Sequence, residues 1–397
     1  MDITIYPGKL AGNVQIIPSK SQAHRLLICA AFADNATEIL CPESNADIDA
    51  TVDCLNALGA NIERTKTGFL VIPVRNTPEK AILNCRESGS TLRFLLPIAG
   101  ALGVEATFQM AGRLPERPIS PLKEEMERMG CTITRPTRDT LLCQGKLIPG
   151  AYTIDGGVSS QFISGLLFAL TILNATCSLK ISGKIESRPY IQMTYEAMQC
   201  FGAKICDSTI SPSLPLKSPG KVTVEGDWSN GAFFLAANAL GSRIGVLGLK
   251  DNSPQGDRKC KEILAEEGPI VLSAADIPDL IPILSVVAAA KAGGTFTDIS
   301  RLRLKESDRV ASTISMLSAL GIKSKADENT LTVTPGSFTA GTIQTQNDHR
   351  IAMAAAIAAT VADGPVTILN AECVSKSYPQ FWEVYKALGG NYEQLLR

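Results

Sequence analysis

Asn347–Thr360 reads NDHRIAMAAAIAAT, an acid, an imidazole and a guanidinium followed by a run of alanine, isoleucine and methionine. A helix this rich in alanine offers water no polar face, so it belongs inside a domain. Its first backbone N–H groups still need acceptors, which Asn and Asp supply as N-caps. The arginine needs a different reason, because a cation at the positive end of a helix is disfavoured unless an anion sits between them.

The same pattern, a small polar cluster leading into an apolar helix, occurs five more times. The copies are SKSQAHRLLICAAFAD from Ser19, ESGSTLRFLLPIAGALG from Glu87, SSQFISGLLFALTIL from Ser159, DWSNGAFFLAANALG from Asp227 and IPDLIPILSVVAAAKAGG from Ile277. Between them lie amphipathic stretches such as IDATVDCLNALGANIE and RVASTISMLSALGIKS, each ending on a glycine where a left-handed C-cap falls: Gly59, Gly130, Gly202, Gly268, Gly321 and Gly389. The period is roughly seventy residues, contracting to about fifty at the fourth copy, well above the short solenoid repeats. Strand-like segments such as LTVTPGSFTAGTIQ fill the gaps. Each copy therefore predicts two helices and several strands. The chain's 397 residues exceed one ordinary core, so six copies imply two domains of three, apolar helices inside and amphipathic ones outside. The crossing is expected near Lys221–Asp227, after the loop SPSLPLKSPG, and the segment before Ser19 is a spare strand open to either domain.

Composition narrows the function classes. Lys and Arg number 38 against 39 Asp and Glu, which excludes a broad electrostatic grip on nucleic acid or anionic membrane. The start, MDITIYPGKLAGNV, has no basic segment followed by an apolar one, so a cytoplasmic protein is expected. Eleven singly scattered cysteines point to buried thiols in a reducing compartment, and only two histidines, His24 and His349, leave no basis for a zinc site. No metal and no cofactor are expected.

Cations recur at the helix mouths: Lys20 and Arg25, Arg93, and Arg350, with Gln161 in the third copy. Arg113, Arg117, Arg303, Lys305, Arg309 and Lys376 sit near turns. Singly these are surface charges, but together they suit a substrate with several negative groups. Asp279 in IPDL fits either an N-cap or a catalytic base; Glu306 in LKESDR fits either a surface ion pair or a catalytic acid. The histidines suit hydrogen bonds of fixed tautomer better than metal.

Ten stretches, SKSQAHR, ESGSTLRF, GRLPERPI, SSQF, ESRPYI, EGDWSNGAFFLAA, IPDLIP, LRLKESDR, NDHRIAM and SKSYPQFW, resemble the enolpyruvyl transferase family in that order from end to end. The resemblance implies an α/β fold of two inside-out barrels, each of three βαβαββ units with buried helices. It implies domains at residues 15–225 and at 1–14 with 226–397, the first strand joining the latter, and a cleft that closes on ligands. It implies transfer of the enolpyruvyl group of phosphoenolpyruvate to the 5-hydroxyl of shikimate 3-phosphate through a tetrahedral adduct, by a monomer with no nucleic-acid or membrane partner. Residue by residue, Ser21 and Arg25 resemble the site for the shikimate carboxylate, and Ser159, Ser160 and Ser187 that for its phosphate, with Gln161 and Tyr190 nearby. Lys20, Arg117, Arg309, Arg350 and Lys376 resemble the phosphoenolpyruvate clamp, together with Gln161, His349 and Gly89, whose lack of a side chain leaves room. Asp279 would take the hydroxyl proton, Glu306 would protonate the methylene carbon, Lys305 would meet the ring and the developing charge, and Lys20 would join the catalytic set.

Three departures stand out against that resemblance: Arg301 where some members have Asn, Glu87 and Phe94 in ESGSTLRF where many have Asn and Pro, and the short fourth unit around Lys259–Ala275. Two alternatives compete. One is the sister enzyme acting on UDP-N-acetylglucosamine, which usually has Lys-Asn in place of Lys20-Ser21 and a reactive loop cysteine where this chain has LPE. The other is a non-catalytic anion-binding protein of the same fold.

Overall fold

The computed structural model describes residues 1–206, 209–210 and 216–395. Part of the SPSLPLKSPG stretch, residues 211–215, lies outside the described residues. The chain divides into two compact units, Pro18–Glu225 and Met1–Ile17 with Gly226–Arg397. Each has its own hydrophobic core.

Apolar and amphipathic helices alternate as the repeat predicts. In Pro18–Glu225 they are α1 Lys20–Ala31, α2 Ala46–Ala57, α3 Gly89–Leu102, α4 Leu122–Arg128, α5 Ser160–Ile172 and α6 Arg188–Cys200. The other unit has α7 Trp228–Ala239, α8 Cys260–Ala265, α9 Ile281–Ala290, α10 Arg309–Ala319, α11 His349–Ala359 and α12 Phe381–Ala387. Along α11 every residue is buried, while α10 buries only one face. The six glycines that close the amphipathic helices all have positive φ, between 77° and 107°. That backbone region costs an L side chain energy and costs glycine none.

One unit of the repeat shows how the sheets arise. Strand Lys80–Asn84 pairs parallel with Glu105–Gln109, and α3 makes the crossover that parallel pairing requires. After α4, strands Cys131–Thr137 and Thr140–Gly145 fold back antiparallel, completing a βαβαββ unit. The same order recurs in Ile270–Ser273, Gly294–Thr297, Thr330–Val333 and Ser324–Ala326. Among the described residues, five sheets have four strands and one, Ala11–Gln15 beside Arg243–Leu247, has two. That pair belongs to the short fourth unit.

The termini of the units are permuted in space. Strand Lys221–Thr223 lies parallel to Thr37–Leu40 and supplies the missing first strand of the unit that begins at α1. Asp2–Tyr6 sits between Val366–Leu369 and Asn391–Leu395, pairing antiparallel with both. The spare segment thus holds two strands, both in the unit with the C-terminal half.

Close helix approach explains the small residues. A Cβ on Gly165 of α5 would collide with the Arg93 carbonyl of α3, so this glycine sets how near the two helices lie. Phe94 and Phe168 meet edge to face beside that contact, with ring centroids 5.7 Å apart. Cys29, Cys41, Cys54, Cys85, Cys131, Cys143, Cys177, Cys260 and Cys373 are buried free thiols, and Cys200 is an exposed one. No described helix is long and apolar enough to cross a membrane.

Candidate active site

Within Pro18–Glu225, the expected ligand residues gather at helix N-termini. Ser19, Ser88 and Ser159 cap α1, α3 and α5 through their side chains. Behind Ser159, Gln161 accepts from the Arg93 guanidinium at 2.7 Å and donates to Ser90 at 2.9 Å, which ties the mouths of α3 and α5 together. Arg117 lies directly over Gly89: a Cβ there would be 2.6 Å from Nη1. Its Nε is buried and lacks a partner among the described residues.

Arg25 is already well engaged. Its guanidinium donates to Thr194 at 2.8 Å, to the Ser21 carbonyl at 2.7 Å and to the Tyr190 carbonyl at 2.8 Å, and it stacks on Phe94 at 5.1 Å. Burial lowers its pKa to about 10, so it stays cationic at neutral pH. Lys20 pairs with Asp47 at 2.9 Å, a partner the sequence did not suggest. Ser160 and Ser187 are buried, and Ser187 holds a left-handed φ of 55° at the start of α6.

The other unit brings Asp279, Lys305, Glu306, Arg309 and Arg350 into one ion-pair network. Arg309, only 1% exposed at its side chain, reaches Asp279 at 2.5 Å, Glu306 at 2.7 Å and Asp348 at 2.9 Å. Asp279 also faces Lys305 at 3.4 Å and Arg350 at 3.6 Å. Neither the turn Pro278–Leu280 nor α9 has a side-chain cap, so the carboxylate of Asp279 serves the cations and not the helix end. Asp348 does cap α11, accepting from the Arg350 amide at 2.9 Å, while its other oxygen holds Arg309 and Ser307. Arg350 is buried over Phe233 and carries two N–H atoms, Nε and Nη1, without a partner among the described residues. Lys376 donates to the Asn347 carbonyl at 3.0 Å, and His349 is buried beside Arg350 in the chain.

Electrostatics follow from this geometry. Burial alone would raise the Asp279 carboxyl, but Lys305, Arg309 and Arg350 together hold it well below the usual carboxylate range. Lys305 is lowered by burial, only partly offset by Asp279, and Arg301 adds a further positive charge beside it. Arg309, held by three carboxylates, stays charged. In the Pro18–Glu225 unit, His24 bonds Thr51 at 2.7 Å, and burial with the charges of Lys20 and Arg25 keeps it neutral.

Not every basic residue joins. Arg113 pairs with Glu116 at 3.5 Å on the surface, and Arg303 pairs with Asp308 at 3.4 Å. Of the departures, Phe94 forms the floor under Arg25, and the Glu87 side chain lies against Gly112. Sequence reasoning missed Asp47, and did not single out Asp348 from its cap motif. Nothing local marks Asp47, because its partner Lys20 is 27 positions away.

A family model described as EPSP synthase (3-phosphoshikimate 1-carboxyvinyltransferase) matches residues 5–385 of the chain. The 3-phosphoshikimate 1-carboxyvinyltransferase of Clostridium beijerinckii is 36% identical, over 99% of this chain and 98% of that protein. That of Clostridioides difficile is 35% identical over the same shares. The structure of EPSP synthase from Acinetobacter baumannii superposes with a TM-score of 0.78 at 23% identity, covering 99% of this chain and 100% of that one.

Proposed function

The chain belongs to the EPSP synthase family, and from that premise we propose that it transfers the enolpyruvyl group of phosphoenolpyruvate to the 5-hydroxyl of shikimate 3-phosphate, releasing phosphate. The observation that carries this reading is the buried Arg350, whose Nε and Nη1 have no partner among the described residues and which joins Lys305, Arg309 and Glu306 in one network through Asp279. A buried guanidinium left unsatisfied costs several kcal/mol by the usual order of magnitude, and an anionic ligand removes that cost.

Phosphoenolpyruvate carries a carboxylate and a phosphate, anions that suit Arg350, Arg309, Lys376, Lys20, Arg117 and Gln161. Shikimate 3-phosphate suits the hydroxyls of Ser159, Ser160 and Ser187, with Ser21, Arg25 and Tyr190. As ligand anions neutralise the cations around Asp279, its carboxylate regains basicity, so it becomes a competent base only when substrate is present. It then takes the proton of the 5-hydroxyl as that oxygen bonds to C2 of phosphoenolpyruvate. Glu306 delivers a proton to the methylene carbon. Loss of phosphate, with a methyl proton returned, restores the double bond. Lys305 and Lys20 balance the charge that builds up in the adduct.

Mixing the protein with both substrates and measuring phosphate release tests the reading directly. Steady release is expected with shikimate 3-phosphate and none when UDP-N-acetylglucosamine replaces it. The opposite pattern would assign the sister activity, and silence in both tubes would leave an anion-binding protein.

A further inference from the structure

Asp257 is 2% exposed and lies in the turn Gly256–Lys259, outside every residue assigned so far. Gln255 pins that turn, accepting from the Trp228 amide at 3.0 Å and donating to the Gly226 carbonyl at 2.9 Å. One Asp257 oxygen accepts from the Ser229 hydroxyl in a short hydrogen bond, and the other, Oδ1, has no partner among the described residues. Ser229 and Phe233 are four apart on α7 and so share a face; Arg350 stacks over Phe233. Asp257 and Arg350 therefore address the same face of one helix, a turn apart.

We propose that Asp257 is a positioning residue of this site: it takes up a proton when an anion settles on Arg350, and so couples anion binding to pH. The inference rests on the reading of Arg350 as an anion ligand. Burial, and then the charge of Asp279, push Asp257 up to about 7, with Asp227 acting in the same direction, while Ser229 and Arg350 oppose them. The Cys260 thiol, pushed up chiefly by burial, stays protonated and adds no charge. Arg350 is the one cation favouring ionised Asp257 among these neighbours. An anion that neutralises Arg350 withdraws that support, so the carboxylate binds a proton from solvent. Below pH 7 the proton is already in place and nothing is taken up. Through pH 7 and above, anion affinity falls as pH rises.

Titrating phosphoenolpyruvate into the full-length protein by calorimetry, near pH 7 and in two phosphate-free buffers of different ionisation enthalpy, counts the protons. Protonation of the ligand's own phosphate is common to all variants and cancels between them. Wild type is expected to take up roughly half a proton more per ligand than Asp257→Asn, which cannot titrate. Ser229→Ala, which removes the opposing hydrogen bond, should move the uptake maximum to higher pH, and it stands as the test if Asp257→Asn fails to fold. Equal uptake in wild type and Asp257→Asn, or an unmoved maximum in Ser229→Ala, overturns the inference while leaving the binding reading intact. No binding heat in wild type overturns both.

Discussion

Arg309 holds three carboxylates at once, and the division of labour among them follows from burial. Asp348 is fully buried and locked to a helix cap, whereas Asp279 and Glu306 keep 18% and 23% of their side chains exposed and face outward from the same guanidinium. Asp279→Ala and Glu306→Gln are each expected to cut turnover by about 10²–10⁴-fold. Shikimate 3-phosphate affinity, measured by calorimetry, should stay within a few-fold, since its proposed anion ligands lie in the other unit. Turnover near the wild-type rate in both variants would remove them from the chemistry. Asp257 gives a separate prediction for stability. Its folded pKa of about 7 lies above the unfolded value near 4, so the native state holds the extra proton between those limits and loses stability as pH rises through them. Asn cannot ionise, so the melting temperature of Asp257→Asn relative to wild type should climb from pH 4 to pH 7 and level off above. A constant difference would mean that Asp257 is ionised in the folded protein throughout.

At the level of elements, the chemistry stands on helix mouths because buried helices leave N–H groups to satisfy and add a favourable field for anions. The cap serines and aspartates do the first job, which leaves the next turn free for Lys20, Gln161 and Arg350. At α3 the first helical residue is Gly89, and the Arg117 guanidinium occupies the space a side chain would fill. Gly89→Ala should therefore displace Arg117. The expected result is a KM for phosphoenolpyruvate raised about tenfold, a loss of order 1.4 kcal/mol in binding, with the KM for shikimate 3-phosphate unchanged. Equal increases for both substrates would point to a disturbed helix and not to a moved arginine.

On the scale of the molecule, Pro18–Glu225 is continuous in sequence and contains its own core and, among the described residues, three sheets, whereas the other unit is assembled from Met1–Ile17 and Gly226–Arg397. Ser21, Arg25, Ser159, Ser160, Gln161, Ser187 and Tyr190 all belong to the continuous unit. A fragment of residues 18–225 should fold cooperatively and bind shikimate 3-phosphate, weakly but measurably by calorimetry, with no phosphate release on adding phosphoenolpyruvate. A folded fragment that does not bind would move the shikimate 3-phosphate site out of this residue set.

Much of this was readable along the chain. The alternation of apolar and amphipathic helices, the caps and the closing glycines are local physics: hydrophobic period, hydrogen-bond satisfaction and backbone freedom act within a turn or two, so sequence alone determined them. It also placed the candidate cations at helix mouths, where the motifs Lys20–Arg25 and Asn347–Arg350 carry both cap and charge. Only the tertiary structure decided that Lys221–Thr223 completes a sheet begun at Thr37–Leu40, because strand pairing is indifferent to the 180 or so positions between them. Likewise it alone showed that Arg309 is ringed by three carboxylates, and exposed Asp257 on the helix face that Arg350 also meets. Charge and burial act through space, and no spacing in the chain records which side chains will share a low-dielectric pocket.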